Sequence, residues 1–182
     1  SNESGLGTAP IAAATAQTKN PVRQALVSMT GTFWDTVIVC AMTGIVVVSS
    51  MVKQPQLYQG ASDDAMTRLA FANLPAGQIV LALALSVFAF TTILGWSYYG
   101  ERSVEYLFGP KGIPVYRLVF LVVLFIGAVA NLELVWSFAD LMNGLMAFPN
   151  LLSVLLLSGV IVAETRHYLW ENRLDEQAET LD

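Results

Sequence analysis

Thr91 and Thr92 place two adjacent hydroxyl groups near the middle of the stretch 78–99, which carries no charged side chain. Polar groups in such an apolar stretch are costly unless they are bound to something. Each hydroxyl could donate to a backbone carbonyl about one turn earlier in a helix. Alternatively, both oxygens could be ligands of a hard cation such as sodium, with the remaining ligands on a facing helix. The residues alone leave both interpretations open.

Trp96 lies one helical turn after Thr92 and begins the aromatic run Trp96-Ser97-Tyr98-Tyr99. Aromatic side chains at the end of an apolar stretch are typical of the membrane interface. The spacing of Thr92 and Trp96 also puts them on one helix face, so Trp96 could line the same cavity as the hydroxyls.

The stretch Ser1-Asn2-Glu3-Ser4-Gly5-Leu6-Gly7 runs into a short segment rich in alanine, roughly residues 8–17. Polar residues and glycines before a short apolar half-helix are typical of a discontinuous transmembrane helix, whose free backbone groups bind substrates and ions. A loop that leads into an interfacial helix is the alternative, and the composition does not decide between them.

The other polar residues give little indication of a binding or catalytic site. Asp35 is expected to cap or to snorkel from the start of its span, and Asp140 with Asn143 to support helix packing. Cys40 has no second cysteine with which to form a disulfide. Neither an HExxH sequence nor a Ser/His/Asp set occurs within the apolar stretches, and the single His167 follows the last of them. The sequence therefore predicts no enzyme and no cofactor.

Long apolar blocks are the elements that must position these residues. The chain is 55% hydrophobic and only 13% charged, whereas ordinary soluble domains are about 25% charged. A helix rises about 1.5 Å per residue, so about 20 residues cross the hydrocarbon core. Four blocks are long enough, which predicts an all-α integral membrane protein in the lipid bilayer. They are residues 31–51, 78–99, 114–132 and 133–163.

The fourth block is too long for one straight span, and Phe148-Pro149-Asn150 lies within it. A proline removes a backbone donor and clashes with the preceding turn. Two short helices that turn back would also fit, but the segment before Pro149 is short for a full crossing. One kinked or broken element is therefore preferred.

The remaining residues are predicted to lie outside the spans. Ser62-Asp63-Asp64 is a plausible start of a short helix in the external loop, which could gate an entrance or simply cover the bundle. Residues 1–17 are the exception, since they are predicted to form the second half of a discontinuous transmembrane helix. The predicted cytoplasmic segments are 18–30, 100–113 and the tail 164–182, and the external loop is 52–77.

The distribution of basic residues predicts the orientation of the chain. Seven basic residues fall on one side of the predicted spans and two, Lys53 and Arg68, fall on the other. The positive-inside rule places the seven in the cytoplasm and with them the C-terminus. The net charge of −5 arises largely from the acidic tail. Because no basic stripe is present, a nucleic-acid partner is excluded.

Three motifs resemble the alanine/glycine:cation symporter family, also called sodium/alanine symporters. The first is Ser1 to Ala12, similar to the SNEAGxGSAPIA motif with Ser4 and Thr8 as departures. The second is Phe90 to Glu101 and the third is Asn143 to Asn150. They occur in the family's order, and the resemblance covers essentially the whole chain.

The resemblance implies a LeuT-like fold of two inverted five-helix repeats, of which this chain holds the second. Family members are more than twice as long, so the N-terminal half of the transporter would be missing from this fragment. By motif, Thr91 and Thr92 would bind sodium. Ser1, Asn2 and Gly5 would lie at the unwound substrate segment, and Trp96 would line the substrate pocket.

The function that the resemblance implies is sodium-coupled symport of alanine or glycine across the cell membrane by alternating access, with sodium as the coupling ion. The alternative is a structural or channel-like membrane subunit that needs a separate partner chain.

Overall fold

The computed structural model describes residues 5–175, apart from the side chains of Asp63 and Asp64. Every regular element in that range is helical, as predicted. The α-helices are α1 (Ala9–Ala13), α2 (Pro21–Thr32), α3 (Ala41–Lys53), α4 (Asp63–Ala72), α5 (Gly77–Phe108), α6 (Ile113–Val129), α7 (Leu132–Leu156) and α8 (Ser158–Thr165). Two π-helical segments, Phe33–Cys40 and Arg166–Trp170, and two short 3-10 turns, Pro55–Tyr58 and Pro110–Gly112, connect them.

Between residues 5 and 175, four helices are long and apolar enough to cross a membrane, which confirms the predicted number. They are Pro21–Lys53, Gly77–Phe108, Pro110–Val129 and Leu132–Leu156. In the described range only four hydrophobic side chains are buried, those of Val22, Tyr58, Ala70 and Tyr168. A folded protein in water rarely exposes so large a contiguous apolar surface. A bilayer provides the environment that these helices require.

The chain divides into two compact units. The first contains the described residues up to Thr32 together with those from Ser97 onward, and the second contains Phe33–Trp96. The first unit therefore holds α1, α2, the end of α5 and α6 to α8. The second holds the π-helical segment Phe33–Cys40, α3, α4 and the beginning of α5.

The first span begins at Pro21, ten residues before the predicted start at Gly31. The Asn20 side chain caps it, because its Oδ1 accepts from the backbone N–H groups of Val22 at 3.1 Å and Arg23 at 3.0 Å. Asn before Pro is a strong helix start. The helix is continuous as far as Lys53, so Asp35 lies about four turns inside it and does not cap it.

Asn20 also joins this helix start to the residues after the last helix. Its Nδ2 donates to the Leu174 carbonyl at 3.2 Å, and the Asn20 side chain is only 1% exposed. Arg23 Nη2 forms an ion pair with Asp175 Oδ1 at 2.6 Å beside it. The last residues of the described chain are thus tied to the beginning of α2.

Ser50, at the end of α3, organises the loop in the second unit. Its Oγ accepts from Tyr58 Oη at 2.6 Å and from Asn73 Nδ2 at 3.0 Å. These bonds tie the 3-10 turn and the end of α4 to α3. Ser62 precedes α4 with the extended backbone of an N-cap residue. The predicted short helix is present, and its role as a gate remains a prediction.

A tight turn joins α5 to α6 in the first unit. Gly109 adopts a left-handed φ of 74°, a conformation that favours glycine, and the turn Pro110–Gly112 follows. Arg117 on α6 then donates two hydrogen bonds to the Glu101 carboxylate on α5, Nε–Oε1 at 2.6 Å and Nη2–Oε2 at 3.0 Å. This fork geometry fixes the register of the two helices.

Gly100 is predicted to be a position where α5 tolerates no side chain. A Cβ at this position would overlap the end of the Tyr116 ring on α6. Gly100→Ala should therefore destabilise the folded chain by about 1–3 kcal/mol, the usual effect of overpacking. This loss can be measured as a lower apparent melting temperature of the variant in nanodiscs. Gly127→Ala on α6 is the matched control, because a Cβ there meets no atom within 4 Å in the described structure. Equal melting temperatures for the two variants would contradict the packing.

The interruption in the last apolar block differs from the predicted one. Helix α7 continues through Pro149 and ends at Leu156, and Leu157 separates it from α8 with ψ near 5°. A proline leaves the carbonyl four residues earlier without its helical donor and crowds it with the ring, and membrane helices can continue through a proline when local adjustments compensate. Ser153 Oγ donates to the Pro149 carbonyl at 2.8 Å, an ordinary bond of a helical serine to the carbonyl four residues earlier.

Candidate functional site

A glycine turn precedes α1 in the first unit. Gly5 and Gly7 have φ angles of 94° and 85°, in the left-handed region that side chains other than glycine rarely adopt. Thr8, which follows, is buried, and its carbonyl accepts from the N–H of Ile11 at 3.0 Å. From Gly5 to Thr8 the backbone is therefore non-helical, and the short helix α1 runs from Ala9 to Ala13. The predicted substrate residues Ser1 and Asn2 lie outside the described residues.

Asn150, on α7, contacts this glycine turn. Its Nδ2 donates to the Gly5 carbonyl at 2.8 Å. The position of a Cβ at Gly7 is 3.4 Å from Asn150 Oδ1, the distance of ordinary van der Waals contact, so the Asn150 side chain lies directly beside this glycine. Two of the three sequence motifs, 145 residues apart, meet at this bond. The sequence had not singled out Asn150 as a site residue. An amide directly after a proline inside an apolar block was the available signal.

Thr91 and Thr92 lie on α5 in the second unit, and both are exposed. The Thr91 hydroxyl donates to the Phe88 carbonyl at 3.0 Å. A hydroxyl that donates its proton keeps oxygen lone pairs that can face a cation. The backbone bond and the sodium ligand are therefore compatible roles for Thr91. The assignment to sodium stays a prediction.

Trp96 is half-buried and lies four residues after Thr92 in the same helix. Side chains at this spacing share a helix face, and the prediction that Trp96 lines the same cavity as Thr92 stays a prediction. Gly5 belongs to the first unit and Trp96 to the second.

Residues 5–175 contain no cluster of carboxylate, thiol and imidazole side chains that could bind a metal ion. No three His, Cys, Asp or Glu side chains in that range are grouped closely enough to hold a metal ion. Sodium, a hard cation, is suited to neutral hydroxyl and carbonyl oxygens, which is the chemistry that Thr91 and Thr92 offer.

Comparison with known proteins identifies the family of the chain. Residues 1–181 match the profile of the Sodium:alanine symporter family. The chain belongs to this family. The three sequence motifs had predicted this membership, and the profile confirms it. Members of the sodium:alanine symporter family are transporters, not enzymes.

Individual relatives agree with this assignment. A protein named "Sodium/alanine symporter AgcS" from Methanococcus maripaludis is 52% identical over 169 residues, covering 92% of this chain. A protein named "Uncharacterized transporter" from Haemophilus influenzae is 53% identical, also over 92% of this chain. "Probable sodium/glutamine symporter GlnT" from Bacillus subtilis is 36% identical over the same share.

The matched region is only part of each relative. It covers 37% of the length of the first two proteins and 35% of the third. The chain thus spans a little more than a third of the symporters that it resembles.

Proposed function

We propose that this chain is the C-terminal part of a sodium-coupled symporter of a small neutral amino acid, alanine or glycine. Sodium moving down its gradient would drive the uptake of the amino acid by alternating access. The observation that carries the proposal is the family match over residues 1–181. Two relatives named as sodium symporters, one for alanine and one probably for glutamine, support sodium coupling.

The proposed architecture is the second inverted repeat of a LeuT-like transporter, starting within a discontinuous helix. A non-helical glycine turn followed by the five-residue α1 supports this reading. In such transporters, broken helices at the middle of the membrane expose backbone groups to substrates and ions. A longer polypeptide with the N-terminal half would supply the facing helices.

The proposed orientation places the C-terminus in the cytoplasm. Basic residues lie at the start of α2, around the α5–α6 turn and after α8, whereas Lys53 is the last residue of α3 and Arg68 lies in α4. With one crossing for each of the four long apolar segments, this arrangement obeys the positive-inside rule.

The proposed site has two parts. Thr91 and Thr92 would provide hydroxyl ligands for sodium from α5. Ser1, Asn2 and Gly5 would lie at the unwound segment that holds the amino acid, and Trp96 would line the pocket. A neutral pocket suits a zwitterion, whose carboxylate needs N–H donors and whose ammonium group needs carbonyl acceptors.

Uptake by the full-length transporter in liposomes tests the function. An inward sodium gradient should accumulate radiolabelled alanine above its external concentration, and a matched potassium gradient should not. Competition by unlabelled glycine, serine and glutamine would define the substrate. Equal uptake under both gradients would contradict sodium coupling. The 182-residue chain alone should give no uptake, because the facing half of the site is missing from it.

A further inference from the structure

We propose that Asn150 is a positioning residue for the substrate site, one that holds the glycine turn Gly5–Gly7 in its binding shape. This inference rests on the proposed function, which places Gly5 at the substrate. It adds a residue from α7 to a site that the motifs had confined to α5 and the N-terminal segment.

The geometry of the contact carries the proposal. The Asn150 amide nitrogen donates to the Gly5 carbonyl at 2.8 Å, a good length for an amide–carbonyl hydrogen bond. The Gly5 carbonyl belongs to a turn outside any helix, and within residues 5–175 no backbone N–H group donates to it. The bond from α7 therefore fixes the direction in which this peptide group points.

The shape of the turn makes that single bond effective. Gly5 and Gly7 both have left-handed φ angles, and glycine has the widest conformational freedom of all residues. A turn built on two such residues does not hold one shape by its own sterics. A bond to a long helix provides the missing restraint, and ordering the turn in advance lowers the entropy lost when substrate binds.

The Asn150 side chain also lies beside Gly7, so it contacts the turn at both glycines. The position of a Gly7 Cβ is 3.4 Å from Asn150 Oδ1 and 3.5 Å from Asn150 Cβ. The side chain of Asn150 thus lies along the turn from Gly5 to Gly7. Loss of the amide would release both glycines together.

Asn150→Leu in the full-length transporter is the test, because leucine keeps a similar volume and removes the amide. Asn143→Leu is the matched control. Asn143 lies seven residues earlier on the same face of α7 and is equally half-buried. It makes no hydrogen bond to the described part of the chain. We expect Asn150→Leu to raise the KM for alanine about 10-fold with little change in kcat, and Asn143→Leu to leave both nearly unchanged.

Hydrogen exchange in nanodiscs without substrate gives a readout that is independent of transport. Asn150→Leu should speed exchange of the peptide that contains Gly5 to Thr8, and Asn143→Leu should not. Unchanged exchange in Asn150→Leu would overturn the positioning role. Faster exchange with an unchanged KM would overturn the link to substrate while leaving the proposed function intact. Lack of sodium-driven uptake by the wild type would instead overturn the proposed function, and with it the substrate part of this inference.

Discussion

Replacement of Thr91 and Thr92 together by valine is expected to abolish sodium-driven uptake at ordinary sodium concentrations. Valine has the shape of threonine without its oxygen, so each substitution removes one proposed sodium ligand from α5. Interactions of a polar group with a charge are worth about 1.5–3 kcal/mol each. Two of them correspond to at least about a 100-fold rise in the sodium concentration that gives half-maximal uptake.

The measurement is alanine uptake by the full-length transporter as a function of sodium, at fixed membrane potential. Thr43→Val on α3 is the matched control, because the Thr43 hydroxyl donates to the Val39 carbonyl at 3.1 Å, four residues earlier, much as Thr91 donates to Phe88 three residues earlier. If the hydroxyls of α5 serve only their own backbone, all of these variants should behave alike. That result would remove Thr91 and Thr92 from the sodium site.

Thr91→Ser and Thr92→Ser refine the same experiment. Serine keeps the oxygen and loses only a methyl group, so sodium dependence should stay within about threefold of the wild type, well under the 1.4 kcal/mol that corresponds to tenfold. A large loss in the serine variants would show that packing of the methyl groups, not coordination, is what α5 needs at these positions.

Asn20→Ala is expected to produce a large loss of stability. The Asn20 side chain is almost fully buried, and its hydrogen bonds within the described residues include two to the first turn of α2 and one to Leu174. Loss of an N-cap costs about 1 kcal/mol, and the Leu174 carbonyl, which is only part-buried, adds about 1–2 kcal/mol, the lower part of the range for an unsatisfied buried group. We expect a total of about 2–3 kcal/mol, measured as a lower midpoint of thermal or denaturant unfolding in mild detergent.

Asn131→Ala is the matched control for this experiment. Asn131 caps α7, where its Oδ1 accepts from Glu133 N at 2.9 Å, but it is exposed. Its loss should therefore approach the ordinary cap value of about 1 kcal/mol. If Asn20→Ala and Asn131→Ala lower stability equally, the bond from Asn20 to Leu174 contributes nothing to stability, and Asn20 does not help to hold the last described residues to α2.

Local patterns in the sequence were sufficient to predict the fold class, the number of spans and the family of this protein. Block length and the low charge content predicted an all-α chain with four helices long enough to span a bilayer, because hydrophobic burial depends on composition over about 20 residues. The shared face of Thr92 and Trp96 followed from the helical repeat alone. The three ordered motifs predicted the family, which the profile match over residues 1–181 confirms.

Helix boundaries were less predictable because they depend on individual hydrogen bonds. The first span begins at Pro21 since Asn20 supplies the cap, although residues 21–30 are too polar to extend an apolar block. Helix α7 passes through Pro149 and ends at Leu156. Hydropathy reports the environment of a segment and not which backbone groups find partners.

Only the tertiary structure decided which distant residues meet. Asn150 reaches Gly5 across 145 residues, and Asn20 reaches Leu174 across 154. Pairs at such separations depend on how the helices pack, and no local pattern encodes them. The sequence could identify Gly5 as a residue able to turn the chain. Only the structure shows that the Asn150 amide on α7 binds this turn.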